Sequence, residues 1–138
     1  MTTAVDTNVL SALLRAEPGA AELADQLWNA QRRGPLLIHA TVFAELIAAP
    51  GERAEGLDAF LGTTGIVVDW ATPRSVWELA GLGFGEYAGR RRASGGGLPR
   101  RLLADFIIGA HALELGATLY TLDPDPYRLS FPALKLLT

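Results

Sequence analysis

Short apolar runs, each closed by Gly, Pro or a polar residue and separated by stretches of helical periodicity, limit this chain to an α/β architecture. Thr3 to Asp6, Leu36 to Ile38, Gly65 to Val68 and Thr118 to Thr121 read as strands, with Leu134 to Leu137 a candidate fifth. Between them, Thr7 or Asn8 starts a helix through Leu14, and Ala20 to Arg33 is amphipathic through Leu23, Leu27 and Ala30. Thr41 is the expected N-cap of a helix over Val42 to Ala49, and Glu52 to Gly62 reads as another. Pro73 suits the first position of a long helix toward Arg90, although Gly81, Gly83, Gly85 and Gly89 each weaken it by about 1 kcal/mol relative to Ala, enough to kink or break it. Leu102 to Leu115 is helical and closed by Gly116. Strands alternating with helices predict a three-layer α/β/α domain with a central, mainly parallel sheet.

At 138 residues, with 49% hydrophobic and 20% charged residues, the sequence reads as one globular domain over 1–138. Without cysteine there is no disulfide or thiolate metal site, so any metal is held by oxygen or imidazole. No basic segment precedes Asp6 and no apolar run is long enough to cross a bilayer, so a cytoplasmic location is expected. A net charge of −3 argues against coating nucleic acid by bulk electrostatics. Arg90, Arg91, Arg92, Arg100 and Arg101 nevertheless concentrate positive charge around Gly95-Gly96-Gly97, which predicts a mobile basic loop over Ala93 to Pro99 and its flanks.

Four acids stand at the ends of apolar segments: Asp6, Glu45, Asp105 and Asp123. Taken singly, each has a plain structural reading. Asp6 suits a helix cap, and Asp123 before Pro124-Asp125-Pro126 suits a turn. Glu45 is harder to assign that way, being the only charged residue of an otherwise apolar helix, and Asp105 shares a face with Ile108, Gly109 and Ala112. Ligands bind at the carboxyl ends of parallel strands, where Asp6 and Asp123 fall, and Glu45 and Asp105 lie in early helical turns able to lean over that edge. Unpaired buried carboxylates are costly, and one or two divalent cations let all four coexist. Mg²⁺ or Mn²⁺ suits carboxylate oxygens, polarises a phosphoryl oxygen and lowers the pKa of water. Thr7, Asn8 and Thr121 are candidates to orient these ligands, and Asp125 is a candidate fifth acid.

The four segments together resemble a PIN domain, specifically the VapC-like ribonuclease toxins of bacterial toxin-antitoxin systems. Asp6-Thr7-Asn8-Val9-Leu10 looks like the opening motif and Phe43-Ala44-Glu45-Leu46 the second. Asp105-Phe106-Ile107-Ile108-Gly109-Ala110-His111-Ala112 looks like the third, and Thr121-Leu122-Asp123 the fourth. The resemblance implies Mg²⁺- or Mn²⁺-dependent endonucleolytic cleavage of RNA, with Asp6, Glu45, Asp105 and Asp123 as catalytic metal ligands, a cognate antitoxin and a homodimer. Pro124-Asp125-Pro126 replaces the basic residues common after the fourth acid, so Asp125 either substitutes for Asp123 or assists it. The arginines supply cations for RNA phosphates, and a single strand fits a narrow acidic slot better than a duplex. Trp28, Trp70, Trp77, Phe84 and Tyr87 read as core or dimer contacts.

Other chemistries fit less well. A metal-free ribonuclease needs a general acid and base, and only His39, His111 and Lys135 are available. A receiver domain wants adjacent acids after its first strand, a haloacid-dehalogenase-like phosphatase wants an Asp where Asn8 stands, and no Walker or dinucleotide phosphate loop is present. The remaining non-enzyme alternative is a PIN-like module that binds RNA or protein without cutting it.

Overall fold

The computed structural model describes residues 1–97 and 103–138. Its centre is a five-stranded sheet of β1 (Thr3–Val5), β2 (Leu36–His39), β3 (Val67–Asp69), β4 (Thr118–Tyr120) and β5 (Lys135–Leu137). The order is β3-β2-β1-β4-β5 and every pairing is parallel. Strand order reverses beside β1, between β1 and β4, and the crevice outside such a switch point is where α/β sheets bind ligands.

Among the described residues, seven helices connect the strands: α1 (Thr7–Leu14), α2 (Ala20–Arg33), α3 (Ala40–Ile47), α4 (Ala54–Thr64), α5 (Arg74–Ala93), α6 (Leu103–Glu114) and α7 (Pro124–Ser130). They cover both faces of the sheet. Leu13, Leu27, Phe60 and Ile66 gather with Leu36 on the side of α1, α2 and α4. On the other, Phe84 and Tyr87 of α5 lie 5.3 and 5.6 Å from the Phe106 ring of α6, and Phe131, which caps α7, lies 6.3 Å from it. The core runs through β1 and β4, where Ala4, Val5, Leu119 and Tyr120 are buried.

Most element positions follow the sequence pattern, with local shifts. The third strand begins at Val67 rather than Gly65, because Gly65 adopts φ +75° and ends α4 by donating its N–H to Leu61. That helix correspondingly runs two residues later than expected, Ala54–Thr64. The cap of α3 is His39, whose Nδ1 accepts from Thr41 N at 3.0 Å, and Thr41 itself lies inside the helix. Pro73 is the residue before α5 rather than its first.

The glycines do not break α5, which is continuous over twenty residues. Packing explains this: Gly83 is buried, and a Cβ there would stand 3.3 Å from Phe106 and 3.4 Å from Phe131, so its absence lets α5 approach α6 and α7. Pro124-Asp125-Pro126, which by sequence suits a turn, instead opens α7, with Pro124 in the first turn, where a missing N–H costs nothing. Trp28, Trp70 and Trp77 are about half or more exposed, so they are not core residues, whereas Phe84 and Tyr87 pack against it. Leu98, Pro99, Arg100, Arg101 and Leu102 lie outside the described residues, and with them part of the expected basic loop.

A polar cluster ties β2, β3 and α6 together. His39 Nε2 lies 2.8 Å from Thr72 Oγ1, His111 Nε2 lies 2.8 Å from Asp69 Oδ2, and the two imidazoles meet edge-on at 4.7 Å. Burial, reinforced by His111, pushes the His39 imidazole down to about 4. The Asp69 carboxyl is held low, chiefly by its hydrogen bond to His111.

Two predictions follow from this packing. A Cβ on Gly109 would stand 2.5 Å from the Phe131 ring and 3.2 Å from Tyr127, whereas Gly85 faces open space. Gly109→Ala should therefore cost about 1–3 kcal/mol in urea unfolding, and Gly85→Ala should add up to about 1 kcal/mol. Second, His39 binds a proton more weakly folded than unfolded, so its contribution to stability is present above pH 6.5 and lost as pH falls toward 4. Relative to His39→Asn, which keeps a capping side chain, the wild type should lose about 3 kcal/mol across that interval; parallel stability-pH curves would contradict it.

Candidate active site

Asp6 follows β1 directly and serves two purposes. It is the N-cap of α1, with Oδ1 accepting from Thr7 N at 2.8 Å, and it is buried, with 5% of its surface exposed. Its Oδ2 accepts from Thr121 Oγ1 at 2.8 Å and from Tyr127 Oη at 2.9 Å. Thr121 follows β4, so the switch point is bridged by a carboxylate from one strand end and a hydroxyl from its neighbour. Thr121 Oγ1 also accepts from Asp123 N at 3.1 Å and from Asn8 Nδ2 at 3.4 Å, while Asn8 Oδ1 accepts from Leu122 N at 3.1 Å. The start of α1 and the loop after β4 are thereby fastened to each other.

Glu45 reaches the same place from α3, where Thr7 Oγ1 donates to its Oε1 at 2.7 Å. Thr7 is thus the link between the first two acids, its backbone on Asp6 and its hydroxyl on Glu45. Asp105 stands half-buried in the first turn of α6. All four predicted acids, Asp6, Glu45, Asp105 and Asp123, line one open cavity of about 260 Å³ together with Thr7, Asn8, Ser11 and Tyr127. Asp123 is exposed at the N-cap position of α7, yet its side chain makes no capping bond and faces the cavity instead. Asp125 does not join them: it is exposed and pairs with Arg128 at 3.1 Å.

The electrostatics record this convergence. Burial pushes the Asp6 carboxyl up, the hydrogen bonds from Thr121, Tyr127 and Thr7 pull it back, and the Asp105 charge raises it again. Glu45 is likewise raised, first by burial and then, against the Thr7 hydrogen bond, by Asp105 and Asp6. Asp6 and Glu45 both feel the Asp105 charge, and among the described residues no cationic side chain lines the cavity. Such a donor set, all oxygen and mutually repelling, fits a hard divalent cation. Among the described residues, however, no three Asp, Glu, His or Cys side chains are already drawn up around one point. The acids share a cavity without closing on a centre.

The described arginines lie outside the cavity lining. Tyr87, three residues before Arg90, packs on Phe106, the neighbour of Asp105, so the Arg90–Arg92 end of α5 lies toward the acidic end of α6. Arg90 and Arg92 are exposed, and the Arg91 guanidinium donates to the Gly96 carbonyl. Arg100 and Arg101 lie outside the described residues. His39 and His111 are absent from the cavity lining. Sequence reasoning missed Tyr127 and Ser11; a tyrosine four residues after the fourth acid is one helical turn beyond it, a signal visible only once α7 is recognised as a helix.

Because Glu45 is harder to ionise folded than unfolded, its charge costs stability above its folded pKa, and the cost vanishes below about 4.5, where the group is neutral in both states. Glu45→Gln, which can still accept from Thr7, should therefore stabilise the metal-free protein at pH 7 and give no gain at pH 4. Thermal unfolding at the two pH values checks this, and a loss at pH 7 would contradict it.

The sequence matches the PIN domain model over residues 3–132. No curated protein shows significant sequence similarity to it. Among solved structures, VapBC2 from Rickettsia felis bound to a promoter DNA fragment aligns with a TM-score of 0.65 at 22% identity, over 99% of this chain and 98% of that one. VapBC-1 from nontypeable Haemophilus influenzae gives 0.64 at 22%, over 99% and 97%. FitAcB from Neisseria gonorrhoeae gives 0.62 at 19%, over 99% and 96%. At these identities the likeness is one of fold, and it agrees with the match of the domain model over most of the sequence and with the parallel sheet: the chain belongs to the PIN domain family.

Proposed function

We propose that this protein is a divalent-metal-dependent endoribonuclease acting as the toxin of a toxin-antitoxin pair. The observation that carries the reading is the convergence of Asp6, Glu45, Asp105 and Asp123 on one cavity at the switch point of a PIN sheet. The toxin assignment is supported by the structural neighbours, several of which are toxin-antitoxin complexes.

In this reading Asp6, Glu45, Asp105 and Asp123 hold Mg²⁺ or Mn²⁺. When bound, the ion supplies Lewis acidity toward a phosphodiester and lowers the pKa of water. The chain's own residues do the positioning. Thr7 fixes the spacing of Asp6 and Glu45, and Thr121 with Tyr127 prevents Asp6 from turning away. Asn8 anchors the loop that carries Asp123. Arg90, Arg91 and Arg92, with Arg100 and Arg101, draw RNA phosphates toward a cavity that would otherwise repel them. Trp28, Trp70 and Trp77, each about half or more exposed, are candidate contacts for an antitoxin or for a second copy of the chain.

One observation favours a second reading, a PIN module that binds without cutting: the carboxylates are not closed around a point. Cleavage of single-stranded RNA by purified protein separates the two. The enzyme reading expects cleavage with Mg²⁺ or Mn²⁺, none in chelator, and a fall of at least about a hundredfold in Asp105→Asn, a direct ligand being worth no less than its supporting partners. Equal cleavage by wild type and variant would leave the binding module as the better description. Charge reversal at Arg90 and Arg92 should raise KM with kcat nearly unchanged and flatten the salt dependence of RNA binding.

A further inference from the structure

The hydrogen bonds around Asp6 fix more than its position. An ionised carboxylate offers about four lone-pair sites, two on each oxygen. On Oδ2 both are taken, by Thr121 Oγ1 at 2.8 Å and Tyr127 Oη at 2.9 Å. On Oδ1 one is taken, by Thr7 N at 2.8 Å. One site remains, on Oδ1, for whatever enters the cavity that Asp6 lines. We propose that Tyr127 is a metal-selectivity-determining positioning residue: by occupying Oδ2 it confines Asp6 to ligation through a single oxygen.

The proposal rests on the metal-binding reading above. Its physical content is that ions differ in what they ask of a carboxylate. Mg²⁺, and Mn²⁺ with it, prefers six ligands at short, regular distances and takes carboxylates through one oxygen, whereas Ca²⁺ takes six to eight and accepts both oxygens of a carboxylate. A rigid, single-oxygen Asp6 suits the former and withholds a ligand from the latter. The two donors on Oδ2 are not equivalent in this respect. Thr121 is part of the loop network with Asn8 and Asp123, while Tyr127 is a buried side chain brought by α7 across 121 residues of sequence to the same oxygen. Replacing its hydroxyl by hydrogen frees a lone pair on Oδ2 without removing the ring that packs near Gly109.

The test is calorimetric titration of metal-stripped protein with Mg²⁺, Mn²⁺ and Ca²⁺, in wild type and Tyr127→Phe. The expected result is a fall of about tenfold in the preference for Mg²⁺ and Mn²⁺ over Ca²⁺, in the range seen for partners of metal ligands. A role in folding alone would weaken all three ions by the same factor, and an unchanged preference overturns the proposal while leaving the metal site standing. Absence of ion binding in the wild type overturns the metal reading itself, and this inference with it. Should Tyr127→Phe fail to fold, Thr121→Val, which removes the other Oδ2 donor, decides the matter: the preference must fall there too.

Discussion

A carboxylate buried at the end of the central strand organises this protein. Asp6 leaves β1 at the point where the strand order reverses, and three donors from three places in the chain meet it: the first backbone N–H of α1, a hydroxyl after β4 and a phenol from α7. Each donor lowers the cost of taking the charge out of water, and each is in turn held in place by the charge. The caps and loops at this edge follow. Thr7 turns its hydroxyl to Glu45 because its backbone is committed to Asp6, and the loop with Asp123 hangs on the same Thr121 oxygen.

The arrangement stores an imbalance. Asp6 and Glu45 are harder to ionise here than in water, and Asp105 adds to both. A chain selected for stability alone would place one acid, not four, around one cavity. The proposed metal would relieve this cost, and the hydrogen bonds decide which oxygens remain to receive it. The His39–His111–Asp69 cluster shows the contrasting case: there a carboxylate is matched to an imidazole and held low. Both lie at the same edge of the sheet, yet the matched cluster is absent from the cavity lining.

Much of this was legible in the sequence, for identifiable reasons. Glu45 and Asp105 stood out because they interrupt apolar helices, and Asp6 because it ends an apolar strand; in the fold Asp6 is buried, the other two are half-buried, and all three line one cavity. The alternation of strands and helices gave the parallel sheet. What escaped depends on contacts distant in sequence. Helix α5 persists through its glycines because Gly83 lets Phe106 and Phe131 close in, which composition cannot show. Pro124 and Pro126 read as a turn until Pro124 is seen to start α7, and with α7 hidden the Tyr127 contact was hidden too. The exposed tryptophans rule out the core half of their reading, since large aromatic residues suggest a core from pattern alone, and leave the dimer half.

The central claim is that these acids receive one or two metal ions between them. An anomalous-difference map from crystals grown with Mn²⁺ tests it directly. The account predicts density inside the cavity, within about 2.2 Å of Asp6 Oδ1 and of oxygens from Glu45 or Asp105, in keeping with short metal-oxygen distances for small hard ions. Ordered crystals with manganese bound elsewhere, or with the cavity empty at millimolar metal, would contradict it.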